Sequence, residues 1–94
     1  MLPTRAVLFE GAEWQPWGVQ VAGNPRRAAA LAQFYRIKAR HPGIIGEREP
    51  MLVRVRLGGL HIWAVRLGAG SRVAARQLCV RLRLAGGACI VRHN

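Results

Sequence analysis

The stretch MLVRVRLGGLHIWAVRL, residues 51–67, decides the fold, because two alternating runs meet at a pair of glycines. In the first run Met51, Val53, Val55 and Leu57 share one face and Leu52, Arg54 and Arg56 the other. Gly58-Gly59 is a two-residue hairpin signal. The second run answers with His61, Trp63, Val65 and Leu67 on one side and Ile62, Ala64 and Arg66 on the other. Two adjacent antiparallel strands are therefore expected.

Upstream, Trp17, Val19 and Val21 alternate against Gly18, Gln20 and Ala22, as a strand with one buried face requires. Asn24-Pro25 then predicts a helix start, an N-cap side chain followed by a proline at the first helical position. The helix should run to about Arg40, with Ala30, Leu31, Phe34 and Ile37 on the sheet side and Arg26, Arg36 and Arg40 in solvent. His41-Pro42-Gly43 stops it, and residues 46–50 read as a polar connection. Downstream of the hairpin, Ser71 is an N-cap for a second helix whose Ala75, Leu78, Cys79 and Leu82 follow the i, i+3, i+4, i+7 rule. Gly86-Gly87 ends that helix. A last strand, Ala88 to Arg92, sets Cys89 and Val91 against Ile90 and Arg92.

The order β-α-β-β-α-β predicts an α+β domain of the split-βαβ (ferredoxin/RNP-like) kind, a four-stranded antiparallel sheet with two helices on one face. In the usual strand order of such a fold the first and third strands are central. If the helices cover the apolar-rich set of each strand, the open face carries Gln20 and Arg66 centrally, with Arg54, Arg56 and Arg92 toward the edges. Residues 1–16 are aperiodic, broken by Pro3, Gly11 and Pro16, and read as a linker; residues 17–94 form the domain.

Composition narrows the function. A chain of 94 residues has room for one small domain. Fifteen Lys+Arg against four acids give a net charge of +11, and every cation but Lys38 is an arginine. So many planar, permanently charged forks favour an anionic partner. At 51% hydrophobic residues the chain is not a disordered polyelectrolyte. There is no Asp, Ser71 is the only Ser and Thr4 the only Thr, so a Ser-His-Asp triad cannot be assembled. The pairs Glu10/Glu13 and Glu47/Glu49 lie in stretches with no rigid frame and read as solvated surface. Cys79, Cys89 and His93 lack the close pairing that preorganises zinc. A non-enzyme without metal or cofactor is expected. No stretch is long enough to span a membrane or to serve as the core of an export signal. The turn at Gly86-Gly87 can bring Cys79 and Cys89 together, either as a disulfide or as two reduced, buried thiols.

Three segments resemble the SPOR (sporulation-related repeat) domain: Trp17-Gly-Val-Gln-Val-Ala22, then Trp63-Ala-Val-Arg-Leu-Gly68 followed by Ser71-Arg72 and an Ala-rich helix, and the closing Leu82-Arg-Leu-Ala-Gly-Gly-Ala-Cys-Ile-Val91. In each half a strand of this type precedes a helix. Ala22 and Asn24 stand where the family often has a glycine and an aromatic. The resemblance implies the same β-α-β-β-α-β fold and a non-catalytic module that binds peptidoglycan. Glycan strands denuded of stem peptides are the implied ligand, on the exposed sheet face. It further implies a targeting role, taking a cell-wall enzyme or division protein fused upstream in the same chain to the septum or wall, in the bacterial periplasm or envelope. By motif position Gln20 and Arg66 match the recurrent Gln and Arg of the family. In that oxidising setting the Cys79–Cys89 disulfide is the favoured state.

On this reading Arg54, Arg56, Arg66 and Arg92 hold the lactyl carboxylates of denuded glycan, Gln20 takes an acetamido group or hydroxyl, and Ile62 and Ile90 give flat apolar contact. Four arginines on one face with no acid among them would repel one another without such a ligand. Trp63 and Trp17 share the parity of core positions and are not expected to stack on sugar. The alternative is an RRM-like RNA-binding module on the same face. It is disfavoured because Gln20, Ile62, Ala64 and Arg66, the exposed central positions, include no aromatic on which a base could stack. Non-specific binding of nucleic acid follows from charge alone.

Overall fold

The structure, a computed structural model, describes residues 9–94. Its elements are β1 (Phe9–Gly11), β2 (Trp17–Asn24), α1 (Arg27–Arg40), α2 (Pro42–Ile45), β3 (Pro50–Leu57), β4 (Leu60–Ala69), α3 (Arg72–Leu84) and β5 (Ile90–His93). The sheet has five strands rather than the expected four, in the order β1-β3-β4-β2-β5, with every pairing antiparallel. The additional strand, β1, pairs Phe9 to Gly11 with Val53 to Met51. As expected, β2 and β4 are central.

Helices α1 and α3 pack on β2 and β4. The core they enclose contains Val19, Phe34, Val65, Leu67, Leu78 and Leu82, all at most 5% exposed. Ile45, on the one-turn α2 between the expected helix stop and the connection, joins the same core. Among the described residues no helix is long and apolar enough to cross a membrane.

Local chemistry explains the element ends. Gly58 and Gly59 have φ of 56° and 83°, the two positive values that a two-residue hairpin turn needs. Ser71 Oγ accepts from the Ala74 amide at 3.1 Å and caps α3. At its C-terminus the Gly86 and Gly87 amides donate to the Arg83 and Leu82 carbonyls, with Gly86 at φ 89°, the geometry of a Schellman cap. The start of α1 differs from expectation. Asn24 is still in β2, opposite Trp63, and its Oδ1 accepts from the Arg26 amide, so the N-cap is Arg26 without a side-chain cap. The delay comes from a bulge at Val21, which shifts the β2–β4 register between Gln20 and Ala22 and lengthens the strand.

Cys79 and Cys89 form a disulfide, with Cα atoms 5.7 Å apart. It ties α3 to the loop entering β5.

Candidate functional site

Directly paired residues on neighbouring strands point to the same face of a sheet, so register fixes the composition of the open face. The partners Gln20↔Arg66 and Gln20↔Ile90 put these three side chains together on it. Gly18↔Arg92 adds Arg92, and Gly23↔Ala64 adds Gly23 beyond the bulge. Gln20, Ile62, Arg66, Ile90 and Arg92 therefore share the face on which they were expected.

Arg54 and Arg56 do not. The β3–β4 register pairs Arg54 with Trp63 and Arg56 with His61, on the helix side of the sheet, and pairs Met51, Val53 and Val55 with Arg66, Ala64 and Ile62 on the open side. The expected parity of β3 is inverted because the two-residue turn pairs Leu57 with Leu60 and so carries Met51, Val53 and Val55 to the side of Arg66; on the helix side Pro50 and Leu52 are buried, while Arg54 and Arg56, nearer the hairpin tip, are exposed. Arg54 instead sits over the Trp63 ring, 5.1 Å from its centroid, and shields that partly buried indole from the side. The four-arginine cluster thus reduces to Arg66 and Arg92.

Of these two, Arg66 is 7% exposed. Its Nη1 donates to Asn94 Oδ1 at 2.8 Å and its Nε to Gln20 Oε1 at 3.2 Å. Asn94 is itself anchored, its Nδ2 donating to the Gln15 carbonyl and its backbone amide to the Pro16 carbonyl. Gly18 and Gly68 make room for this cover. A Cβ at Gly18 would lie 3.0 Å from Asn94 Nδ2, and one at Gly68 would lie 2.6 Å from Gln15 Cγ. One end of the open face, containing Gly18, Met51, Arg66 and Gly68, is accordingly closed over by Gln15 and Asn94.

Among the described residues the other end carries no such cover; it is largely apolar, with Ala64 buried at its centre. Val53, Val55 and Ile62 are half-buried, Ile90 is exposed, and the hairpin tip carries Leu57 and Leu60 at 65% and 62% exposure. Gln20 borders this apolar strip. Because Arg66 donates to Oε1, the amide orientation is set, and the Nε2 end lies by Gly23, 3.9 Å from where a Cβ there would stand. Ile62 Cδ1 lies at 3.4 Å from the same point, so Gly23 keeps a shallow trough open between the amide and the isoleucine. Arg92 stands exposed on the flank.

Sequence reasoning missed the hairpin leucines, Gly23 and Asn94. The first follow from the two-residue turn, which pairs Leu57 with Leu60 and so fixes the whole hairpin parity. No pattern in the sequence announces Asn94. Among the described residues no group of His, Cys and acidic side chains could hold a metal ion.

The SPOR domain family matches residues 15–93 of the chain. Among solved structures, the fold is similar to that of the peptidoglycan-binding domain of the B. subtilis cell wall lytic enzyme CwlC. That likeness has a TM-score of 0.54 at 22% sequence identity, and covers 83% of this chain and 87% of that one. No curated protein matches.

Proposed function

The chain belongs to the SPOR domain family, and from that premise we propose that it is a non-catalytic module that binds peptidoglycan, with glycan strands denuded of stem peptides lying on the uncovered part of the open sheet face. The observation that carries the proposal is the arrangement of Gln20, Gly23 and Ile62. A side-chain amide of fixed orientation stands over a glycine trough with an apolar wall. An N-acetyl sugar needs that combination, a donor for its acetamido oxygen and a flat surface for its C–H face.

Ile62 and Ile90 give the apolar contact on either side of Gln20. Val55 and the hairpin leucines extend the surface toward the tip, so successive sugars of one strand can each add a weak contact. Arg92 reads a lactyl carboxylate from the flank with its planar fork. Arg66 acts one step removed, by holding Gln20 in place. Arg54 and Arg56, on the other side of the sheet, contribute only to the general positive field that draws an anionic polymer in.

In this role the module brings a larger envelope protein, a cell-wall enzyme or a division protein carried in the same chain, to the septum or wall in the periplasm. The similar CwlC domain, by its description a peptidoglycan-binding part of a lytic enzyme, supports such a division of labour. The test is co-sedimentation with purified sacculi before and after amidase treatment, with single-stranded RNA as competitor. Stronger retention on amidase-treated sacculi that survives RNA supports the proposal. Equal retention on both, abolished by RNA, assigns binding to charge alone.

A further inference from the structure

On the helix side of the sheet, away from the open face, a groove of about 360 Å³ runs between α3 and the edge formed by β2 and β5. Trp17 and Val91 line it from the strands, and Arg72, Arg76, Val80 and Arg83 from the helix. Trp17 is braced by His93, their ring centroids 4.6 Å apart. Arg83 Nη2 donates to the Cys89 carbonyl at 3.0 Å, which fixes that arginine at one end of the groove. Arg72 and Arg76 stand one helical turn apart toward the other end, roughly 16 Å and 10 Å from Arg83 along the axis by the helical rise.

The charge at that far end is unfavourable for α3 itself. Arg72 is the first residue of the helix, and no acid occupies the first turn. A cation there opposes the macrodipole, and Arg72 with Arg76 is a like-charged i, i+4 pair. Arg81 and Arg83, in the last turn, are by contrast at the end that suits them. None of the chain's acids, Glu10, Glu13, Glu47 and Glu49, belongs to α3 or β5, and Glu10 pairs with Arg27 elsewhere. An anion supplied from outside offsets both costs.

We infer that this groove binds a phosphorylated sugar, its phosphate held by Arg72 and Arg76 and its ring laid against Trp17 and Val91. A carboxylate is satisfied by a single guanidinium fork. Two forks beside the positive end of a helix match the three oxygens and nearly double charge of a phosphomonoester. The strand side of the groove, an indole and a valine, suits the C–H face of a pyranose. The site shares no residue with the sheet face and stands whether or not that face binds glycan.

The test is a titration of the ¹⁵N-labelled full chain, followed by NMR, with N-acetylglucosamine 6-phosphate, N-acetylglucosamine and inorganic phosphate as separate probes. The sugar phosphate should shift the amides of residues 72–76 and the Trp17 indole N–H saturably, and bind about tenfold more tightly than either fragment. The double variant Arg72→Gln/Arg76→Gln should lose about tenfold in affinity, given charge-assisted bonds to two forks. Arg36→Gln/Arg40→Gln on α1 should leave binding unchanged. Inorganic phosphate binding as tightly as the sugar phosphate, shifts spread evenly over the arginines of both helices, or full affinity in the Arg72/Arg76 double variant overturns the assignment.

Discussion

Arg66 and Gln20 are direct register partners on the two central strands, and the buried arginine donates from Nε to the glutamine's Oε1 at 3.2 Å. The guanidinium is thus turned inward, toward Gln20 and Asn94, and its part in recognition is to hold a neighbour. Arg66→Ala strips a donor from two acceptors on a nearly closed part of the face. It should lower stability by about 1–3 kcal/mol. Thermal denaturation checks this, with a fall of several degrees expected for a domain of this size. Arg66→Lys keeps the charge but not the fork and should fall in between.

Gly23 lies on the uncovered face between Gln20 and Ile62, and its φ is not in the left-handed region. Gly23→Val should therefore fold well, since a β-branched residue suits a strand, while its side chain fills the trough. The expected outcome is a melting temperature at or above that of the parent chain, with glycan binding reduced about tenfold or more. Unchanged binding would move the sugar path elsewhere on the sheet.

The β3 register yields a contrast among arginines. Arg54→Ala and Arg56→Ala, on the helix side, should change binding to denuded glycan by less than about twofold, whereas Arg92→Ala should weaken it several-fold through loss of a charge-assisted contact. Arg54→Ala should instead cost about 0.5–1 kcal/mol of stability, from its position over Trp63. Parallel sedimentation and melting curves separate the two effects.

The Cys79–Cys89 disulfide closes a short loop, the two residues being ten apart in sequence. Chain-entropy reasoning gives about 3 kcal/mol for a loop of this length. Reduction, or the double variant Cys79→Ala/Cys89→Ala, should lower the denaturation midpoint accordingly. Neither cysteine reaches the open face, so under conditions where the reduced chain stays folded its glycan affinity should match that of the oxidised form.

Features determined within a few residues were legible in the sequence. Gly58-Gly59, the Ser71 cap, the Gly86-Gly87 stop and the spacing of Ala75, Leu78, Cys79 and Leu82 each carry their own local reason. The face of β3 was misread because its apolar set was assumed to follow the helices. The cue was present, since a two-residue turn pairs Leu57 with Leu60 and hence Met51 with Arg66. The late start of α1 was hidden by the bulge at Val21, which no residue type announces. Strand β1 and the Asn94 contacts depend on distant partners, Met51 to Val53 in one case and Arg66, Gln15 and Pro16 in the other. Such contacts leave no periodicity to read.

The central claim is that Gln20, on the uncovered sheet face, recognises denuded glycan. The most direct measurement compares the affinity of the parent chain and of Gln20→Ala for amidase-treated sacculi at physiological salt, alongside the helix-surface control Arg36→Ala. The account predicts a loss of about tenfold for Gln20→Ala, as a buried hydrogen bond to the ligand is removed, and almost none for the control. Equal losses in the two variants, or none in Gln20→Ala, would contradict it.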